Sequence, residues 1–153
     1  MGIRLATPIS EIEAAIRAEA ERIEMLAIRA LSYLGEQCII EARDRRQEYS
    51  WFDQSGNLRS SVGYIIVANG EIVQYSGFQQ VKEGADGVRE GKKLAEGLAK
   101  NHPDGYALIV VAGMNYAEYV EAMDNKCVLA SAELYARSKM PEVISKLKEQ
   151  IAR

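Results

Sequence analysis

The chain has 153 residues, of which 48% are hydrophobic and 27% are charged, and its formal net charge is −3. A chain of this length suits one domain, which can fold without disulfides or a metal. The negative net charge argues against nucleic acid as the main partner, because phosphate binding needs a concentrated basic surface. The chain has neither the apolar run of a signal peptide nor the ~20 apolar residues that span a bilayer, so we expect a soluble intracellular protein.

The N-terminal segment predicts one long amphipathic helix. Ser10 and Glu13 match the S-x-x-E capping box. The pattern runs to about Tyr49, or ~50 Å at 1.5 Å per residue, which exceeds the ~30 Å span of a small domain. We therefore expect part of the helix to pack outside the domain core; the alternative is two shorter helices broken near Gly35. Apolar or small residues follow one stripe at steps of three and four: Ile9, Ile12, Ile16, Ala20, Ile23, Ala27, Leu31, Leu34 and Cys38.

A polar segment, SWFDQSGNLRSS over residues 50–61, predicts a loop because Ser, Asp, Asn and Gly favour turns. Trp51 and Phe52 add apolar area inside it. They are either a hydrophobic plug under the loop or a contact for a partner.

The clearest local signal is a β-hairpin. Asn69-Gly70 accepts the positive φ angles of a type I′ turn, and β-branched residues flank it on both sides. The sequence therefore predicts paired strands over residues 62–68 and 71–76.

Residues 77–104 are rich in glycine and charge. Gly84, Gly87, Gly91 and Gly97 would each cost about 1 kcal/mol relative to alanine inside a helix. We therefore expect a mobile, solvated loop here, followed by a short helix over residues 92–100.

A second hairpin is predicted further along. YALIVVA (106–112) reads as a buried strand, Gly113-Met114 can turn the chain, and NYAEYVEAM (115–123) supplies the partner strand. On that strand Glu118 and Glu121, three residues apart, point to opposite faces. They could not flank one scissile bond as a glycosidase pair does, although in a helix they would share a face.

The last element is a helix predicted over Cys127–Ala152. Pro141 lies inside it, so we expect a break or kink near Ser138–Met140. The element order predicts an α+β fold: a four-stranded antiparallel sheet packed with a long N-terminal helix and a C-terminal helix. We expect a single domain over 1–153, with 77–104 as a mobile insertion.

Candidate catalytic groups are few. His102 is the only histidine and lies in a polar loop, and Cys38 and Cys127 form no C-x-x-C pair. These residues give little support to a nucleophile scheme or a zinc site. The sequence predicts no catalytic residue, cofactor or metal, and a small intracellular enzyme using Cys38, Cys127 or His102 is the alternative.

A basic run lies near the end of the long helix. Cations at a helix C-terminus interact favourably with the macrodipole, which is a sufficient reason for Arg43, Arg45 and Arg46 to be there. A nucleic-acid-binding module is a further alternative, which requires these arginines to join Arg59 on one face.

Three segments together resemble the family of small phage tail-completion and head–tail connection proteins. They are SGNLRSSVGYIIV (55–67) after the basic end of the long helix, NYAEYVEA (115–122), and VLASAELY (128–135). The family shows a Thr-Gly-x-Leu-Arg-x-Ser segment before its first strand and a Tyr-Ala-x-x-Val-Glu strand later. Ser55 replaces the usual threonine and Ala122 a frequent glycine, and the resemblance does not cover residues 77–104.

The resemblance implies a structural protein of a phage or prophage virion, present in the host cytoplasm during assembly. Family members form rings, typically hexameric, at the tail end or neck, and they contact tail-tube or neck and portal-associated proteins. DNA only passes through such a ring, and no membrane or cofactor is involved. On this basis the expected subunit contacts are Trp51, Phe52, Leu58, Arg59, Tyr116, Tyr119 and Glu121.

Overall fold

The computed structural model describes residues 1–4, 6–43, 52–122 and 128–153. The fold is α+β with a long N-terminal and a long C-terminal helix, as predicted. Its elements are α1 (Ile9–Arg43), α2 (Asn57–Ser61), β1 (Val62–Ala68), β2 (Glu71–Gly77), α3 (Ala85–Ala99), β3 (Tyr106–Ala112), α4 (Ala117–Ala122) and α5 (Ala130–Ile151).

In the described residues the sheet has three antiparallel strands in the order β2-β1-β3, and not the four that were predicted. In the central strand, Ile65 pairs with Tyr75 on one side and with Ile109 on the other. Every residue of β1 is buried, because helices cover both of its faces. Both β2 and β3 are edge strands within the described part of the chain.

The predicted fourth strand is helix α4. The Ala117 N–H donates to the Met114 carbonyl at 3.0 Å, and the Val120 N–H donates to the Tyr116 carbonyl at 3.0 Å. Tyrosine and valine favoured a strand, but the segment includes alanine and glutamate, which are strong helix formers, and it buries only Ala117 fully. Gly113-Met114 therefore does not turn a hairpin, and β3 pairs with β1 instead.

The predicted first hairpin is confirmed. Asn69 and Gly70 have φ angles of 49° and 86°, which is the pair of positive values that a type I′ turn requires. The Asn69 side chain also accepts a hydrogen bond from the Gly105 N–H at 3.1 Å, so the turn is attached to the segment that enters β3.

Helix α1 runs without interruption through Gly35, so the alternative of two shorter helices is wrong. A Cβ at Gly35 would lie 2.8 Å from the Tyr64 ring, so the glycine lets β1 approach the helix closely. The helix begins at Ile9, and Ser10 therefore lies in its first turn. The predicted end near Tyr49 falls outside the described residues.

Helix α5 is also continuous, so the break predicted near Ser138–Met140 is wrong, while a kink at Pro141 stays a prediction. Proline removes one backbone hydrogen bond, but the packing of α5 against α1 stabilises the helix from outside. The two helices are antiparallel, since the Arg22 guanidinium donates to the Gln150 and Ile151 carbonyls at 3.2 and 2.8 Å. Cys127, the predicted start, lies outside the described residues.

Residues 85–99 form one helix, α3, where a solvated loop was predicted up to residue 91. The glycines are points of close approach. A Cβ at Gly87 would lie 2.0 Å from the Asn57 carbonyl oxygen, and one at Gly91 would lie 2.4 Å from that of Ser61. Ala95 is fully buried on the same face, so this part of 77–104 belongs to the core.

Two apolar clusters lie on opposite faces of the sheet. The first packs β1 against α1 and α5 around residues such as Leu34, Tyr64 and Val128. The second packs β1 and β3 against α3 around Ile65 and Phe78. No helix in the described ranges has the length and apolar character that crossing a bilayer demands.

Candidate subunit interface

The predicted contact residues divide into exposed and internal ones. Phe52, Tyr116 and Tyr119 are exposed, whereas Leu58 is buried in the first cluster. Trp51 lies outside the described residues. The remaining two, Arg59 and Glu121, make hydrogen bonds within the subunit, and their part in a contact with a neighbour stays a prediction.

A buried carboxylate organises the loop before α2. Asp53 accepts the Gly56 N–H at 3.0 Å and the Arg59 N–H at 2.8 Å. Lys82 donates to the Asp53 carbonyl at 2.7 Å, and its ammonium lies 5.6 Å from the centre of the Phe52 ring. The loop is therefore held from within the subunit, and one face of Phe52 is covered by a cation.

The motif Asn57–Ser61 joins separate parts of the chain. Its side chains accept backbone N–H groups that would otherwise lack a helix or strand partner. The motif therefore has a structural role: it holds α2 to α3 and to the end of β3. The three bonds run from Val81 to Ser60 at 2.8 Å, from Gly113 to Ser61 at 3.1 Å, and from Gly87 to Asn57 at 3.0 Å.

Arg59 and Glu121 stabilise helix ends. The Arg59 guanidinium donates to the carbonyl of Arg43, the last residue of α1. Glu121 accepts the N–H groups of Leu129 and Ala130 at 3.0 and 2.5 Å. An acceptor at a helix N-terminus satisfies donors that the helix leaves open and suits the macrodipole, so Glu121 caps α5.

Tyr116 lies beside the loop that carries Asp53 and Ser55. Burial raises the pKa of the Tyr116 hydroxyl, the Asp53 carboxylate raises it further, and a hydrogen bond with Ser55 acts in the opposite direction. The structure thus brings Tyr116 next to the segment that carries Phe52, which its position 64 residues later in the chain did not predict. Tyr119 is well exposed on α4.

Helix α1 has a marked mismatch between apolar character and burial. Ile9, Ile12 and Ile16 are 66%, 37% and 65% exposed, whereas Leu34 and Cys38 on the same stripe are at 0% and 1%. The partner helix α5 ends beside Arg22, so it covers only the later turns of the stripe. We call residues 9–22 the arm.

Two grooves follow the packing of α1 against α5. The inner groove, of about 580 Å³, lies between the two helices and edge strand β3, and its lining is apolar except for Glu133. The second, which we call the seam groove, has a volume of about 380 Å³. It is lined by Arg29, Ala30, Tyr33, Tyr135, Lys139, Glu142, Val143, Lys146, Leu147 and Gln150.

The sequence predicted a solvent-exposed apolar stripe on α1 but not the two grooves. An apolar stripe can be predicted from the spacing of apolar residues within one helix. A groove depends on where α5 lies on α1, which no local pattern determines. The three- and four-residue steps among Tyr135, Lys139, Glu142 and Lys146 were the available signal, since they show that one face of α5 is polar and aromatic.

Glu118 and Glu121 lie three residues apart on helix α4 and share a face, so the prediction that they point to opposite faces is wrong. Glu121 accepts hydrogen bonds from the Leu129 and Ala130 N–H groups, which gives it a capping role.

The other candidate catalytic residues lie on different elements of the fold. Cys38 is buried, its thiol contacts the Ala132 carbonyl at 3.7 Å, and burial raises the pKa of that thiol. His102 is exposed in the loop between α3 and β3. Cys127 lies outside the described residues, and the described ranges contain no group of three or more potential metal ligands among His, Cys, Asp and Glu.

Comparison with known proteins adds no relative. No protein-family model matches the chain, and searches of curated proteins and of solved structures find no match either.

Proposed function

We propose that this chain is a structural protein of a phage or prophage virion, a tail-completion or head–tail joining component that assembles into a ring. The main support for this proposal is the solvent-exposed apolar stripe of the arm. Ring assembly is heterologous, so each subunit must offer two different surfaces to its neighbours. The arm is one of these surfaces. The seam groove and the loop around Phe52 and Tyr116 are candidates for the second surface.

The exposed isoleucines give the energetic argument. Burying one such side chain contributes about 1.5–3 kcal/mol. Ile9 and Ile16 leave about two thirds of their surface in water, so a partner that covers the arm recovers a large part of that free energy. Monomeric proteins rarely expose contiguous apolar patches without a function.

The geometry gives less support to the two alternatives. A nucleophilic cysteine needs the thiolate form, and burial raises the pKa of the Cys38 thiol. A nucleic-acid site needs cations clustered on one face. Arg59 donates to the Arg43 carbonyl and Arg43 donates to the Gln79 side chain at 3.3 Å, so both guanidinium groups are held within the subunit. Arg45 and Arg46 lie outside the described residues. A structural role is therefore the function we propose, with self-association and tail or neck proteins as its partners.

The direct experiment combines light scattering after gel filtration with negative-stain microscopy and binding to purified phage tails. We expect closed rings, or assembly on tails or necks if the free chain is monomeric. A chain that stays monomeric at millimolar concentration and also fails to bind tails or necks would refute the proposal.

A further inference from the structure

We propose that the arm of one subunit docks into the seam groove of a second copy of this chain. The inference rests on the proposed self-assembly and names the two surfaces that carry it. One is the arm, residues 9–22. The other is the seam groove, formed where α5 packs on α1.

The arm has the pattern of a helix that binds in a groove. Ile9, Ile12 and Ile16 stand at positions i, i+3 and i+7, which is the spacing of anchors along one helix face. At 100° per residue, Glu13 and Glu19 lie on opposite flanks of this stripe. The arm is therefore an apolar ridge with a carboxylate on each side, of which Glu19 is bridged to Arg22 of the same helix at 2.6 Å.

The seam groove has the complementary character. Its floor includes Ala30, Val143 and Leu147, and its rim carries Lys139 and Lys146. Arg29 adds a third cation on the α1 side of the groove. Glu142 is the only carboxylate in the lining, and it bridges Lys146 at 2.8 Å and Lys139 at 3.5 Å.

Charge distinguishes the seam groove from the inner groove. The arm contains four glutamates against two arginines, and the seam groove contains three cations against one carboxylate. The inner groove carries Glu133 as its single charged residue. Arg137 bridges Glu133 at 2.7 Å, and the lining of the inner groove offers no cation to an acidic arm. Complementary charge of this kind fixes register and selects the partner surface.

The lengths also agree. The arm spans about 21 Å at 1.5 Å per residue, and the groove follows α5 from Tyr135 to Gln150, or about 24 Å. The arm cannot reach its own groove, because α1 is one continuous helix and Arg29 and Tyr33 lie on it beyond the arm. The occupant is therefore another copy, and the contact joins two different surfaces. Repeated from subunit to subunit, it is heterologous and builds a closed ring or an open chain, whereas reciprocal docking would close a dimer.

The test uses two variants and a mixture of both. The arm variant, Ile9→Ser with Ile16→Ser, removes two anchors, and the groove variant, Lys139→Glu with Lys146→Glu, reverses the rim charge. We expect each change to weaken self-association by roughly ten- to hundredfold in sedimentation. Met25→Ser and Leu134→Ser remove exposed apolar side chains elsewhere on α1 and α5, and they should assemble like the unmodified chain.

The mixture gives the sharper outcome. The arm variant keeps its groove and the groove variant keeps its arm, so together they should form a one-to-one pair and nothing larger. The pair should also weaken as salt rises, because the contact is partly between exposed charges. Circular dichroism should show unchanged folding, since the substituted residues are exposed or line an open groove.

Other outcomes separate this inference from the proposed function. If both variants still form rings, the arm–groove contact is refuted while the virion role stands. If the unmodified chain stays monomeric at millimolar concentration and binds tails only as single, separate copies, the docking between copies is likewise refuted. If the arm variant loses rings but still binds tails, the inference is supported.

Discussion

The close contact between α2 and α3 makes a prediction that can be tested with two glycines of one helix. Gly87 and Gly97 both lie in α3. A Cβ at Gly87 would lie 2.0 Å from the Asn57 carbonyl oxygen, whereas a Cβ at Gly97 would meet nothing within 4 Å. The same substitution by alanine should therefore have opposite effects on the free energy of unfolding.

The magnitudes follow from three contributions. Replacing a helical glycine by alanine stabilises by about 1 kcal/mol, and this is the whole effect expected for Gly97→Ala. At Gly87 the added methyl group forces backbone apart, which costs about 1–3 kcal/mol. It also disturbs the hydrogen bond from the Gly87 N–H to the Asn57 side chain, worth about 1 kcal/mol. Gly87→Ala should therefore destabilise by about 1–3 kcal/mol.

Urea unfolding followed by circular dichroism measures both variants on one scale. Their midpoints should move in opposite directions, with unchanged m-values because the area exposed on unfolding is nearly the same. If Gly87→Ala were as stabilising as Gly97→Ala, α3 could not lie against α2 as described, and the explanation of the glycine-rich segment would be refuted.

Two further predictions concern single side chains. Glu121→Ala should destabilise the folded state by about 1 kcal/mol in urea unfolding, because α5 loses its cap. The control Glu118→Ala, which changes an exposed residue on α4, should be nearly neutral. Equal effects of the two substitutions would contradict the capping role. Burial raises the pKa of the Cys38 thiol. The protonated thiol therefore stabilises the folded state fully below the ordinary thiol pKa of about 8.5, and this stabilisation is lost as pH rises through the thiol pKa of the folded state. Iodoacetamide should therefore label Cys38 slowly in the folded chain and quickly in urea, with Cys38→Ser as the control that leaves Cys127; fast labelling in the folded chain would contradict this burial.

Features that depend on a few neighbouring residues were predictable from the sequence. Asn69-Gly70 specifies its own turn, because both residues tolerate positive φ. The helical spacing of apolar residues in α1 was also predictable, because it depends only on residues three and four apart in the chain. Whether the helix breaks at Gly35 could be decided only from the structure. A glycine is needed there because the Tyr64 ring of β1 packs against that position.

Features that depend on tertiary packing were mispredicted. The glycines of α3 were assigned their cost in an isolated helix, but at Gly87 and Gly91 the missing side chain permits contacts with α2 that an alanine would block. Pro141 was treated in the same way, although α5 is supported along its length by α1. In both cases intrinsic propensity was outweighed by packing between elements.

The candidate interface shows the same division. The apolar stripe was visible in the sequence, but the residues proposed by resemblance proved to include two that hold the fold together. Glu121 caps α5 and Arg59 binds the end of α1. A short motif that resembles one of a family can therefore reflect how the chain folds as well as how it contacts a partner.

The isoleucines of the arm have no explanation within the described part of the subunit. Isoleucine is a weaker helix former than alanine or glutamate, so local helix stability does not favour Ile9, Ile12 and Ile16 at exposed positions. Core packing does not require them either, because α5 ends beside Arg22. They continue the stripe that α5 covers further along, in the same register. A partner that packs on the arm as α5 packs on the rest of α1 accounts for all three.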